Sequence, residues 1–257
     1  MNQSTIFERV EQGAPPLAIT VDVETSFAKH PDVFAHSIQE MLAVLASRKV
    51  SVTAFVQGEA LQTHPDLLQL LQDGGHEVGS HGFRHQDQRG LSREELREDI
   101  EKALEQFAQA GVPCVGYRAP FFCRNAELSA VLLDLQVPWD SSISRIHFPG
   151  RYDNRLVPAL PYLDEHGLLQ LPIARVNAYL PYGLEHMKAL GALYPQRRPT
   201  RPAIFYMHNY SFSDRYTRPW YNRRHNVERS SAVLDRVLKD REPILCTQLL
   251  ENTSPSS

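Results

Sequence analysis

The chain has 257 residues, of which 42% are hydrophobic and 22% are charged, with a formal net charge of -3. This composition supports a globular core, and the length falls in the range of an α/β barrel. The charge balance argues against a nucleic-acid-binding surface, and no stretch approaches the roughly 20 apolar residues of a membrane span. The first 14 residues lack a basic segment followed by an apolar run, so we expect a cytoplasmic protein.

Apolar runs alternate with amphipathic segments along the chain. In order, the pattern predicts strands at 17–23, 50–56, 77–79, 115–117, 168–173, 203–207 and 244–246, and helices at 33–45, 65–71, 92–110, 125–135, 183–193 and 227–238. Ser92 and Glu95 have the spacing of a capping box at the start of the third helix. The β-α-β-α order predicts an α/β fold with a mostly parallel sheet, open or closed into a barrel.

The chain shows no internal repeat, low-complexity tract or interior linker. We therefore predict a single catalytic domain over 1–257, with a core from about 17 to 249 and frayed ends at 1–14 and 252–257. Three scattered cysteines are too few for a disulfide framework.

Unusual polar residues follow four of the apolar runs at their carboxyl ends. Asp22 and Glu24 end the first run, His81 follows the third, Arg118 the fourth, and His208 a late one. In a parallel sheet or barrel these ends meet at one edge, where active sites assemble. The pattern therefore predicts one site built from several strands.

The residue types in this set are those of a metal-dependent hydrolase. His81 and His85 are four apart, so on a helical turn they face the same way and suit zinc. Such a pair is common, and it indicates a metal only because an acidic cluster accompanies it. Asp22 and Glu24 alternate on a strand, so both point to one side, and two inward carboxylates are costly unless they are paired or bind a metal.

Two further polar residues need partners in apolar surroundings. Arg118 lies in Gly-Tyr-Arg-Ala-Pro-Phe-Phe and requires a carboxylate. His208 lies in Ile-Phe-Tyr-Met-His and requires a hydrogen-bond partner, for which Asp140 is a candidate.

In these segments the chain resembles the polysaccharide deacetylase family, the nodulation-factor deacetylase homology group or carbohydrate esterase family four, from about residue 17 to 249. The strongest matches are Gly-His-Glu-Val-Gly-Ser-His-Gly-Phe-Arg-His, which ends at His85, and Tyr-Arg-Ala-Pro-Phe, which contains Arg118. The resemblance implies a single-domain distorted (β/α) barrel of mostly parallel strands. It also implies one divalent metal ion, usually zinc, with cobalt, nickel and manganese as alternatives.

The resemblance also implies roles for individual residues. His81 and His85 match the family's histidine ligands. Most members carry adjacent aspartates in the first motif, whereas this chain has Asp-Val-Glu, so Glu24 is the expected third ligand, as in the branch with a spaced acidic pair.

Asp22 matches the general base, Arg118 the arginine that tethers it, and His208 the general acid. Asp140 matches the aspartate that orients this acid. The oxyanion and substrate positions fall on Phe121, whose backbone N–H is the expected oxyanion donor, and on Pro120 and Trp139.

The implied activity is hydrolysis of an N-acyl group, most simply N-acetyl, on an amino sugar. With no export signal expected, a soluble or nucleotide-linked saccharide is a better substrate than a finished polymer. The alternatives are hydrolysis of a cyclic amide or imide, a sugar deformylase, and a non-catalytic barrel that binds its ligand.

Overall fold

The computed structural model describes residues 14–25, 30–193, 199–215 and 226–251. The predicted frayed ends fall outside these ranges except for Ala14. Within the described ranges, no helix is long and apolar enough to cross a membrane.

The described chain alternates strands with helices. The strands are β1 (Pro16–Val23), β2 (Thr53–Val56), β3 (Glu77–Ser80), β4 (Trp139–Asp140), β5 (His147–Phe148), β6 (Tyr152–Asp153), β7 (Tyr162–Leu163), β8 (Leu169–Gln170), β9 (Ala203–His208) and β10 (Glu242–Ile244). The helices are α1 (Pro31–Ser47), α2 (Gly58–Thr63), α3 (Leu67–Asp73), α4 (Arg93–Gln109), α5 (Leu128–Asp134), α6 (Leu184–Leu190), α7 (Asn226–Leu238) and α8 (Cys246–Glu251).

Strand β1 lies at the centre of the sheet and pairs in parallel with β2, β9 and β10. All eight of its residues are buried, as expected for a parallel strand covered on both faces. Its register with β9 places Asp22 opposite His208, and its register with β2 places Asp22 opposite Phe55. The carboxyl ends of three strands thus meet at Asp22.

Beyond β3, short parallel pairings carry the sheet round towards β9. Tyr117 bridges Ser80 on one side and Asp140 on the other, and β4 then pairs with β8. Ala174 N donates to Ile204 O of β9 at 3.1 Å. The described strands do not form one continuous closed ladder, but their order confirms the predicted α/β fold, a distorted barrel of mostly parallel strands.

Helices pack outside the sheet. Helix α1 buries Phe34, Ile38, Met41 and Leu45 in the same core cluster as β1. Helix α4 begins with the predicted capping box, in which Ser92 Oγ accepts from Glu95 N and Glu95 accepts from Ser92 N.

The structure differs from the predicted elements at several places, and the strands β4 to β7 were not predicted. The strand predicted at 115–117 is a single bridge at Tyr117. Cys246 begins α8, rather than ending a strand. Helices α2 and α8 were not predicted, because six residues are too few to show a helical period.

Candidate active site

Two carboxylates mark the end of β1 and the residue that follows it. The Asp22 and Glu24 residues are 3% and 2% exposed. Glu24 N donates to Asn209 Oδ1 at 3.1 Å, which ties the end of β1 to the segment after β9. Two buried carboxylates are stable only with cationic, hydrogen-bonding or metal partners.

The two histidines come from the loop after β3. His81 and His85 were expected on a helical turn, but residues 81–85 are not helical, and Gly82 has φ +72°. Asp99 of α4 holds this loop by accepting from Phe83 N at 3.0 Å and Arg84 N at 3.1 Å. The imidazoles approach each other through the loop's curvature, with ring centroids 5.4 Å apart.

Glu24, His81 and His85 form a set with metal-ligand chemistry. One donor atom from each lies within 4.8 Å of the others. His81 Nδ1 is 2.7 Å from Arg118 O, and the donation of its proton to this carbonyl leaves Nε2 with a free lone pair. Glu24 Oε2 contacts His85 Nε2 directly.

The electrostatics of this set also suit a divalent cation. Burial lowers the pKa of His81 to about 4, although Asp22 and Glu24 oppose the shift, so its imidazole is neutral at pH 7. Metal ligation requires the neutral form. Two imidazoles and a carboxylate are a common zinc ligand set, so these residues fit the implied metal.

Arg118 is fully buried and is the cationic partner of Asp22. Its Nη1 donates to Asp22 Oδ1 at 2.7 Å and to Thr20 Oγ1 at 2.9 Å. Ser141 accepts from the rest of the guanidinium, at 3.1 Å through its carbonyl and 2.9 Å through its hydroxyl. Burial raises the pKa of Asp22, but Arg118, His81 and His208 outweigh burial, and the pKa falls below its ordinary value. Asp22 is therefore ionised and held through one oxygen.

The second oxygen of Asp22 faces His208, with Oδ2 and Nε2 3.9 Å apart. On the other side of the imidazole, Nδ1 lies 3.2 Å from Glu185 Oε1. These two atoms form an ion pair rather than an aligned hydrogen bond. Burial lowers the pKa of His208, but Glu185 and then Glu24 and Asp22 raise it, to about 9. The imidazole is therefore charged at neutral pH and stacks on Tyr210.

The structure corrects the partner predicted for His208, because Asp140 is engaged elsewhere. Asp140 Oδ1 accepts from Ser142 N at 2.9 Å and from Ser142 Oγ. Its Oδ2 lies 3.1 Å from Arg124 Nε. The carboxylate that contacts the imidazole is Glu185 of α6, so the structure places Glu185, and not Asp140, beside His208.

Sequence reasoning missed Glu185, which is 3% exposed. It accepts from His208 N at 3.1 Å and from Ser211 Oγ at 2.6 Å. Burial raises its pKa, but His208, Ser211 and Lys188 lower it below the ordinary value. Lys188, also buried, donates to Asn226 Oδ1 and to Ser230 Oγ, the latter at 3.1 Å.

A signal for this pair was present in the sequence. Glu185 and Lys188 stand among Leu184 and Met187 within the predicted helix at 183–193. Charged residues on the apolar face of a helix require buried partners.

The three residues predicted for the oxyanion and substrate positions have different surroundings in the structure. Pro120 is buried and begins a 3₁₀ turn, Pro120–Phe122. Phe121 has φ +58° and is 42% exposed, with its ring centroid 4.3 Å from that of His85. Trp139 is instead a core residue, 1% exposed and packed edge-on against Phe55. The expected substrate contact by Trp139 is therefore replaced by packing.

The chain is similar in sequence to known deacetylases. The model of the family described as "Polysaccharide deacetylase" matches residues 9–138, half of the chain. A peptidoglycan deacetylase from Helicobacter pylori is 24% identical over 116 residues, which cover 45% of this chain and 40% of that protein. The matches to the first curated relatives cover less than half of each relative's own length.

Solved structures give the same fold over nearly the whole chain. A Mycobacterium smegmatis protein of the polysaccharide deacetylase type aligns with a TM-score of 0.67 and 20% identity, over 96% of this chain and 92% of that one. The allantoinase PuuE aligns with a TM-score of 0.62 and 14% identity, over 93% and 90%. At these identities the structural similarity establishes the fold alone. The family model matches half of the chain, and on this match the chain belongs to the polysaccharide deacetylase family.

Proposed function

We propose that this protein is a metal-dependent amide hydrolase that removes an N-acyl group, most simply N-acetyl, from an amino sugar. The observation that carries the proposal is the pairing of Asp22 with His208. An ionised carboxylate and a charged imidazole face each other at 3.9 Å, beside the three-residue ligand set. Amide hydrolysis needs a base, an acid and a Lewis acid in such an arrangement.

Asp22 is the proposed general base. Arg118 holds one oxygen and leaves Oδ2 to accept a proton from the attacking water. Because Arg118 is fully buried and bonded to Thr20 and Ser141, the carboxylate cannot turn freely. Asp22 is therefore oriented before substrate binds.

His208 is the proposed general acid. With a pKa raised to about 9, it carries the proton that a departing amine requires at neutral pH. Glu185 balances the charge at Nδ1, so Nε2–H points towards Asp22 and the substrate. After the proton has moved to the amine, the neutral imidazole regains one from solvent.

Glu24, His81 and His85 would hold the metal, with zinc as the first choice and cobalt, nickel or manganese as alternatives. When bound, a divalent ion polarises the amide carbonyl and lowers the pKa of water towards 7. The backbone N–H of Phe121 is the proposed second donor to the oxyanion. Phe121 and Phe122 both have positive φ, and such backbone strain clusters at functional sites.

The experiment that tests this proposal measures acetate and amine release from N-acetyl amino sugars, nucleotide-linked N-acetyl sugars, N-formyl sugars and cyclic imides, with metal analysis of the purified protein. Release from the N-acetyl sugars supports the proposal. Turnover of a cyclic imide or an N-formyl sugar alone would assign the alternative substrate class. One bound metal with no turnover would favour a non-catalytic binding protein, and fractionation of cells tests the predicted cytoplasmic location.

A further inference from the structure

A short hairpin brings aromatic side chains to the rim of the candidate site. Strands β5 and β6 pair antiparallel, with Phe148 opposite Tyr152 and ring centroids 6.0 Å apart. Phe148 is 42% exposed, the same fraction as Phe121. Phe121 also contacts the ring of His85, one of the three candidate metal ligands. This exposed aromatic surface therefore adjoins the ligand set.

Arg151 lies between these rings. Its guanidinium carbon is 4.9 Å from the centroid of Phe148 and 5.7 Å from that of Phe121. Arg151 is exposed, and among the described residues its side chain forms no ion pair or hydrogen bond. Arg155, on the same segment, pairs with Asp153 at 2.6 Å. Of these two exposed arginines, Arg151 is the one that lies against the aromatic rings and has no carboxylate within ion-pair distance among the described residues, although its charge helps to lower the pKa of Asp87.

The tip of the hairpin is held in place. Arg89 Nη1 donates to Gly150 O at 3.2 Å and to Arg151 O at 3.3 Å. Arg89 is itself paired with Asp87 at 2.6 Å, so Asp87 is engaged by another cation. The backbone that carries Arg151 is therefore held in place before any ligand arrives, which reduces the entropy lost when the loop binds a ligand.

We propose that Arg151, with Phe121 and Phe148, forms a subsite for an anionic amino sugar, one that carries a carboxylate or a phosphate near the N-acyl group. This inference rests on the proposed function and narrows its substrate class. An unpaired guanidinium forms charge-assisted hydrogen bonds with either anion. The exposed parts of Phe121 and Phe148 offer apolar aromatic surface that suits the C–H surface of a sugar.

The test compares Arg151→Gln with Arg155→Gln on three substrates. Di-N-acetylchitobiose is neutral, N-acetylmuramic acid carries a carboxylate, and N-acetylglucosamine 1-phosphate carries a phosphate. In Arg151→Gln, we expect KM for at least one anionic substrate to rise about tenfold, the scale for a lost charge-assisted hydrogen bond, with kcat on the neutral substrate unchanged. Arg155→Gln should match the wild type, and equal melting temperatures would show that both variants fold.

The two anionic substrates distinguish a carboxylate subsite from a phosphate subsite. Unchanged KM values for both in Arg151→Gln, or the same increase in Arg155→Gln, would overturn the inference. If the wild type hydrolyses none of the substrates, the proposed function fails, and calorimetric binding of the same three sugars to the zinc-loaded protein then decides the subsite. Loss of anion binding in Arg151→Gln alone supports it, and equal binding in wild type and variant overturns it.

Discussion

The partner of His208 gives the sharpest prediction, because the structure replaces Asp140 with Glu185. Glu185→Gln removes a charge while it keeps an oxygen that can accept from Ser211 Oγ and His208 N. Glu185 is the strongest of the charges that raise the pKa of His208. The substitution should therefore lower this pKa from about 9 towards the ordinary 6.5.

The size of the effect follows from protonation. At pH 8, an imidazole with a pKa of about 9 is roughly 90% protonated, and one with a pKa of about 6.5 is roughly 3% protonated. Complete loss of the shift therefore reduces the acid form about 30-fold. Glu24 and Asp22 also raise the pKa, so we expect a smaller loss, between about 3-fold and 30-fold at pH 8.

The assay is the pH dependence of kcat for an N-acetyl sugar and for an activated aryl acetate. The alkaline limb for the amide should move to lower pH in Glu185→Gln, while the aryl acetate, whose leaving group needs no proton, should change little. Titration of the His208 ring by nuclear magnetic resonance would follow the pKa directly. Asp140→Asn is the control and should leave the limb in place. A limb that moves in Asp140→Asn but not in Glu185→Gln would refute this reasoning and restore the original assignment.

Three further predictions concern the metal, the base and a buried lysine. His81→Ala should reduce bound zinc from one equivalent to near zero by metal analysis, whereas the exposed His166→Ala should retain it; full occupancy in the first variant would contradict the ligand assignment. Asp22→Asn should keep zinc and lose at least ~10²-fold in amide hydrolysis, and loss of zinc there, with zinc retained in Glu24→Gln, would exchange the two carboxylate roles. Burial lowers the pKa of Lys188 from 10.5 to about 8, although Glu185 opposes the shift. As the pH rises, the ammonium of Lys188 therefore loses its proton at lower pH in the native state than in the unfolded state. The free energy of unfolding should accordingly rise between pH 8 and 10.5 relative to Lys188→Gln. Denaturant unfolding across this range measures the difference, and identical pH profiles would show that Lys188 has no such effect.

The sequence allowed most of the fold to be predicted, because its periodic signals are local. Strand β1 is apolar except at Thr20 and Asp22. Helix α4 shows a capping box followed by an apolar stripe at α-helical spacing. Several elements of two to six residues, including the hairpin strands β5 and β6 and the helices α2 and α8, were not predicted, since a period cannot be read from so few positions. The single bridge at Tyr117 is such a case, because its pairing depends on the strands at either side.

The sequence also predicted part of the candidate site. The residue types alone placed Asp22, Glu24, His81 and His208 at one sheet edge, because parallel strands end there together. The structure supports that placement through the register of Asp22 with His208 and the close approach of the three ligand candidates.

Only the tertiary structure could identify which groups support these residues. Glu185 lies 23 residues before His208 in the chain and reaches it through the packing of α6 beside β9. Asp140 contacts Ser142 and Arg124 instead, and Trp139 packs in the hydrophobic core. Residue type and spacing determine which chemistry this chain contains, whereas the choice among several eligible carboxylates depends on three-dimensional distance and burial, which no local pattern encodes.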